Sequence, residues 1–191
     1  MTNKALIAMS GGVDSSVAAF LTKDMGYDAT GITLKLFDNE DIGEKREKTC
    51  CSLDDIDDAR RVCLKLGIPY YVYNFKDSFK ENVIDRFIRA YENGTTPNPC
   101  IDCNRFIKFE KLIRRAEELD FDCVVTGHYS TIEYDKGADR YLLKKSVDST
   151  KDQSYVLYCL TQRQLAKTLL PLGTYTTVSY THLTLPTNSR V

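Results

Sequence analysis

The chain has 191 residues, 42% hydrophobic and 28% charged, with a formal net charge of −1 at neutral pH. That length suits one domain, or one domain plus part of another, and the composition excludes wholesale disorder. No apolar run reaches the roughly 18 residues of a membrane helix, and with a charge near zero any nucleic-acid contact must come from a local patch.

The first residues, Met1 to Lys4, lead into an apolar stretch too short and wrongly flanked for a signal peptide. Seven cysteines follow, odd in number and with no export signal ahead of them. They read as reduced thiols of a cytoplasmic protein with no membrane association, at least one of them chemically active.

Lys4 to Met9 is a short apolar strand, followed at once by Ser10-Gly11-Gly12 and a helix ending near Gly26, with Val17, Phe20 and Leu21 on one face. Asp28 to Phe37 alternates as a second strand. Asn39 to Lys48 is a charged loop, and Ser52 caps a helix running to Leu66, stopped by Gly67 and Pro69. Tyr70 to Phe75 is a third strand. Asp77 to Tyr91 is a helix with Phe79, Val83, Phe87 and Ile88 inward. Turn chemistry over Asn93 to Pro99 leads to a helix from about Asp102 to Leu119, then a β-rich run from Cys123 to Gly127. Thr131 to Tyr134 and Arg140 to Lys144 flank Asp135-Lys136-Gly137 as a hairpin.

Strands alternating with helices predict an α/β fold, a doubly wound, mainly parallel sheet with the hairpin laid onto it and the start of a helical region after it. Ligands of such sheets bind beyond the carboxyl ends of the strands. The glycine turn and Gly127-His128-Tyr129 both fall there. Residues 174–191 differ in kind: six are threonine, none is acidic, and no period survives. The organisation expected is a catalytic domain over 1–145, the start of a second, truncated region over 146–173, and a non-native or unstructured tail over 174–191.

Ser10-Gly11-Gly12-Val13-Asp14-Ser15-Ser16 is the strongest motif. Adjacent glycines turn tightly and expose bare N–H groups to an anion, and the following helix adds its N-terminal dipole. Asp14 would repel phosphate unless it holds Mg²⁺ or organises the loop. The bland reading is an ordinary strand-to-helix turn. V-D-S-S after a first strand argues against it. This loop resembles that of the PP-loop ATP pyrophosphatases, which cleave ATP between the α and β phosphates and pass AMP to an oxygen. The resemblance implies an adenine-nucleotide α hydrolase-like fold, ATP held by Ala8, Met9, Ser10, Gly11, Gly12, Val13, Asp14 and Ser15, and Leu34 near the adenine.

The second constellation is Thr96-Pro97-Asn98-Pro99-Cys100-Ile101-Asp102-Cys103-Asn104-Arg105. Two prolines stiffen the approach, so the thiols are presented at a helix start, where the dipole and Arg105 favour a reactive thiolate. Zinc would need a second, better spaced pair than Cys50-Cys51. Two inert, buried thiols are the bland alternative. Lys108, Lys111, Arg114 and Arg115 give this helix a basic face, which beside a reactive thiol becomes a candidate RNA contact. Phe106, Ile107, Phe109, Leu112 and Ile113 form its apolar side.

T-P-N-P-x-x-x-C-N-x-x-I-K-F at Thr96 to Phe109, G-H-Y at 127–129 and K-D-Q-S-Y at 151–155 are similar to motifs of the tRNA-specific 2-thiouridylases, the MnmA family of the PP-loop superfamily. The resemblance implies a tRNA uridine 2-sulfurtransferase, which adenylates the C2 oxygen of the uridine at the wobble position of the anticodon with ATP and then transfers persulfide sulfur to give 2-thiouridine. It makes Cys103 the nucleophile, and Asp14 in the glycine turn is expected to be the second catalytic residue. Gly127 would contact ATP, Asn98, Pro99 and Cys100 the target uridine, and Lys151, Asp152 and Gln153 the tRNA. It further implies Mg²⁺ with ATP, a persulfide donor (a cysteine desulfurase or relay protein), and a second cysteine about a hundred residues further on, which would pair with Cys103 as a disulfide. None of the other six cysteines fits that place, so the 191 residues are expected to bind ATP without completing a thiolation cycle. Many members carry Asp where this chain has Cys100, so a carboxylate role there does not carry over. Another PP-loop ligase or tRNA sulfurtransferase, and a non-catalytic nucleotide-binding module or inactive fragment, are the competing readings.

Among the remaining residues, His128 reads as a neighbour of the site and Cys63 and Cys159 as core. Cys123 borders a buried strand, and Tyr129 and Tyr155 are packing residues that could instead stack on a base.

Overall fold

The structure, a computed structural model, describes residues 2–37 and 53–176. The expected loop at Asn39–Lys48, the Cys50-Cys51 pair, the Ser52 cap and His182 lie outside the described residues.

Strand β1 (Lys4–Ala8) is the centre of a parallel sheet in the order β3-β2-β1-β4-β7. Strand β2 (Asp28–Lys35) pairs with it on one side, Ala5 opposite Ala29, and β4 (Cys123–Val125) on the other, Ala5 opposite Cys123. Strand β3 (Tyr70–Asn74) takes one edge and β7 (Thr168–Leu169) the other. A central parallel strand is covered on both faces, so it reads as a continuous apolar run. Alternation still sorts its side chains. Ala5, Ile7 and Met9 enter one core with Val17, Ala18 and Leu21 of α1 (Val13–Asp24) and Ala59 and Cys63 of α2 (Leu53–Leu66). Leu6 enters the opposite core with Ile32, Leu34, Ile107, Phe109 and Leu112.

The second core is covered by two helical runs. The first is α3 (Lys76–Phe79), a wide turn over Lys80–Ile84 with i→i+5 hydrogen bonding, and α4 (Asp85–Glu92). The second is α5 (Pro99–Asp102), a wide-turn stretch over Cys103–Lys111, and α6 (Leu112–Glu118). Wider turns rotate the apolar stripe relative to a 3.6-residue period. Val83 is buried as expected, whereas Ile88, expected inward, is 47% exposed. The expected helix start at Asp102 is also corrected. The run begins at Pro99 because Asn98 caps it, its side-chain oxygen accepting from the Cys100 N–H at 3.0 Å, and Pro99 sits where no N–H is needed.

The hairpin is present as β5 (Ser130–Asp135) and β6 (Arg140–Lys145), with Tyr134 opposite Tyr141. Residues 146–173, expected to start another region, return to this body. α7 (Gln162–Ala166), capped by Thr161 and Gln164, delivers β7 to the edge of β4, and Leu157, Leu165, Leu170 and Leu172 are buried. Tyr175 packs against the first core.

Gly31 shows how tightly α2 lies on the sheet, for a Cβ there would stand 2.4 Å from Cys63 Sγ. Gly31→Ala is expected to cost about 1–3 kcal/mol by overpacking. In a chain of this size that lowers Tm by roughly 2–4 °C per kcal/mol. Thermal melts should show most of the loss recovered in a Cys63→Ala background.

Candidate active site

Two turns meet beyond the carboxyl ends of β1 and β4, where strand order reverses about β1 and ligand crevices form. At the first, Gly11 adopts φ +77°, and a Cβ would lie 2.5 Å from the Asp55 carbonyl oxygen at the start of α2, so only glycine fits. Gly12 is the N-cap of α1, exposed, and a Cβ there would find nothing nearer than Ser10 Oγ at 3.5 Å. Its face is open to an incoming group. The hydroxyls of Ser15 and Ser16 both donate to the Gly12 carbonyl at 2.9 Å, and the Ser10 N–H donates to Ser15 Oγ at 3.2 Å. These bonds hold the loop rigid on its buried side, while Ser10, Gly12, Val13 and Asp14 remain exposed.

The second turn, Gly127-His128-Tyr129, closes directly on the first. A Cβ on Gly127 would stand 2.9 Å from the Asp14 carbonyl carbon and the Ser15 nitrogen. Tyr129, buried at 2% exposure, donates its hydroxyl to Asp14 Oδ1 at 2.9 Å. Asp14 therefore organises the site as well as facing it. This pairing was not legible in the sequence, since 115 positions separate the two residues.

His128 is buried beneath the turn, with Nδ1 2.7 Å from Thr126 Oγ1 and its ring 5.9 Å from that of Phe109. Burial, and secondly the Lys108 cation, hold its pKa well below the ordinary 6.5. It stays neutral in the folded chain while the unfolded chain takes up a proton near 6.5, so it opposes folding as pH falls. Plotted as Tm between about pH 6.5 and 5, the fall should flatten in His128→Gln.

The contact with Phe109 joins the two turns to the helix that carries Cys103. Asn98, Pro99 and Cys100 are exposed at its start, and Cys103 is half-buried one turn on. Asn104 is buried, its amide donating to the Val156 carbonyl at 3.4 Å. Of the expected basic face, Lys111 donates to Ser78 Oγ, and Arg114 and Arg115 both pair with Glu118, at 3.6 and 2.9 Å. Arg105 remains exposed beside Phe106.

The described residues include five cysteines, at positions 63, 100, 103, 123 and 159. Burial pushes the Cys63 and Cys123 thiols up to about 11, which keeps them protonated and inert. Cys159, expected in the core, is half-buried, and its thiol is raised by burial while the Arg105 charge acts against it.

Of the remaining expected contacts, Leu34 lies within β2 near its carboxyl end and faces the second core at 6% exposure. Lys151 is exposed. The Asp152 carboxylate is raised by partial desolvation but lowered overall by bonds from the Ser146 and Ser154 backbones and the Ser154 hydroxyl. Gln153 Oε1 accepts from the Tyr129 N–H at 3.0 Å. These two side chains shape the turn that brings K-D-Q-S-Y against G-H-Y.

Sheet order and glycine turn together define a doubly wound α/β domain built on a parallel sheet. Two solved structures share the fold. One is a predicted subunit of a tRNA methyltransferase from Methanocaldococcus jannaschii, with TM-score 0.53 and 15% identity over 96% of this chain and 74% of that one. The other is a glutamine-dependent NAD+ synthetase from Acinetobacter baumannii in complex with ADP, with TM-score 0.56 and 12% identity over 95% of this chain and 28% of that one.

The family model described as the tRNA methyl transferase HUP domain matches residues 3–184, and the chain belongs to that family. Relatives named tRNA-specific 2-thiouridylase MnmA are 56% identical in Clostridium beijerinckii and 57% in Clostridioides difficile, each over 175 residues and 92% of this chain. The chain spans about half the length of these relatives, 48% in both. Among the described residues no helix is long and apolar enough to cross a membrane.

Proposed function

We propose that this chain supplies the ATP-activating and thiol-bearing part of a cytoplasmic tRNA uridine 2-sulfurtransferase. The observation that carries the reading is the closure of Gly127 and Tyr129 on Asp14 and Ser15, with the Cys103 helix packed behind them through Phe109 and His128.

The C2 oxygen of uridine is a poor leaving group. In the proposed reaction it attacks the α-phosphorus of ATP, the α–β bridge breaks, and pyrophosphate leaves. Sulfur then attacks C2, and AMP departs with the original oxygen. The bare N–H groups of Gly11 and Gly12 and the start of α1 face the phosphates, where they stabilise developing charge. Ala8 ends β1 and Met9 follows it beneath the loop, Val13 borders it, and Leu34 shapes its floor. Mg²⁺, when bound, would neutralise phosphate charge. Among the described residues no three His, Cys, Asp or Glu side chains gather, so the ion fits as a passenger of ATP with Asp14 as the loop's carboxylate. A persulfide donor protein delivers sulfur. Cys103 attacks the sulfur–sulfur bond of a persulfide held on a second cysteine, forming a disulfide and freeing the terminal sulfur as sulfide. Asn98, Pro99 and Cys100 border the uridine, and Lys151 takes a tRNA phosphate.

Exchange of labelled pyrophosphate into ATP tests the activation step. It is expected only when tRNA is added, because the acceptor oxygen belongs to the RNA. ATP binding without exchange under both conditions would reduce the chain to a nucleotide-binding module.

A further inference from the structure

Residues 153–159 run from the glycine turn to the thiol helix. At one end the Gln153 N–H donates to the Tyr129 carbonyl at 2.8 Å, and Tyr129 in turn bonds Asp14. At the other end Val156 accepts from Asn104, the neighbour of Cys103, and the Arg105 charge reaches the Cys159 thiol. Val156, Leu157 and Leu160 fix the segment in the core, while Tyr155 and Tyr158 turn outward at 59% and 70% exposure. Two exposed phenol rings three residues apart thus stand on a strip that is hydrogen-bonded to the sequence neighbour of the candidate nucleophile.

Two exposed cations flank them. Lys151 precedes the strip and Arg105 lies at its far end, both exposed. The nearby acids are engaged: Asp102 with Arg86 at 3.3 Å, Asp152 with Ser146 and Ser154, and Asp148 with Thr150. Exposed aromatic faces between cations suit unpaired nucleobases, whose rings stack while the phosphates meet the charges. A rigid aromatic also loses little conformational entropy on contact.

We propose that Tyr155 and Tyr158 form a stacking step for unpaired RNA bases next to the target uridine, with Lys151 and Arg105 holding the flanking phosphates. This rests on the proposed function for the identity of the RNA, and on the exposure and charge of the strip for the mode of binding.

The test is fluorescence anisotropy of the 191-residue chain with a labelled anticodon stem-loop and with a duplex of equal length. Tyr155→Ala and Tyr158→Ala are each expected to weaken stem-loop binding roughly 5- to 100-fold, the loss measured for one stacked base. Tyr158→Phe should stay within about 2-fold of the parent, since the ring and not the hydroxyl stacks. Duplex binding and ATP binding should be unchanged in every variant, the latter reporting an intact fold. The proposal is overturned if the parent chain does not bind the stem-loop, if both alanine variants bind it as the parent does, or if stem-loop and duplex weaken alike. Loss of tRNA-dependent exchange with these affinities intact would strike the sulfurtransferase reading and leave the stacking step standing.

Discussion

Replacing Cys103 by serine is expected to lower 2-thiouridine formation by about three orders of magnitude or more, the scale on which a covalent nucleophile's loss is felt. The measurement is nucleoside analysis of tRNA, using this chain joined to the remaining half of its Clostridium beijerinckii relative. Pyrophosphate exchange should survive, because the proposed activation belongs to the glycine turn on the other side of Phe109 and His128. Cys63→Ser and Cys123→Ser should leave thiolation nearly intact in whatever protein folds, since burial keeps both thiols protonated. Full thiolation by Cys103→Ser would remove the nucleophile from the mechanism.

Gly127→Val is expected to abolish measurable ATP binding and lower Tm by several degrees, for about 1–3 kcal/mol of overpacking. The new side chain would press on the backbone of Asp14 and Ser15, and these atoms cannot move aside cheaply while Ser15 and Ser16 are buried at 4% exposure and bonded to Gly12. Gly12→Ala separates stability from binding. Its backbone, φ −78° and ψ 164°, accepts any residue and the added methyl makes only an ordinary contact with Ser10 Oγ at 3.5 Å, so Tm should hold. The methyl instead occupies the face that an anion would approach, so ATP affinity should drop at least tenfold, about 1.4 kcal/mol. Calorimetric titration with ATP beside thermal melts distinguishes the two outcomes.

Much of this arrangement was readable from local pattern. The apolar run at 4–9, the glycines after it and the alternation of periods were enough for the parallel sheet and for the placement of both turns at strand ends. The legible site elements were those whose chemistry is local, such as Gly11 and Gly12 in a turn or Cys100 and Cys103 at a helix start. What escaped depends on partners distant in sequence. β7 is only two residues long, and nothing in Thr168-Leu169 marks it as a strand until β4 lies beside it. The exposure of Ile88 follows from wide helical turns that a 3.6-residue period does not anticipate. Tyr129 and Tyr155 looked alike as tyrosines after short motifs. Only the fold separates them, sending one hydroxyl to Asp14 and the other ring to solvent. Asp152 and Gln153, which the resemblance implies as tRNA contacts, also bond within their own turn, a pairing that only the fold reveals.

The central claim is that the glycine turn passes AMP to the C2 oxygen of a uridine. The direct measurement gives the chain joined to the remaining half of its Clostridium beijerinckii relative tRNA carrying oxygen-18 at C2 of the target uridine, with ATP and sulfide as the sulfur source, and reads the AMP by mass spectrometry. The account predicts AMP heavier by one oxygen-18 atom for each 2-thiouridine formed. AMP without the label, or ADP with inorganic phosphate in its place, would contradict it.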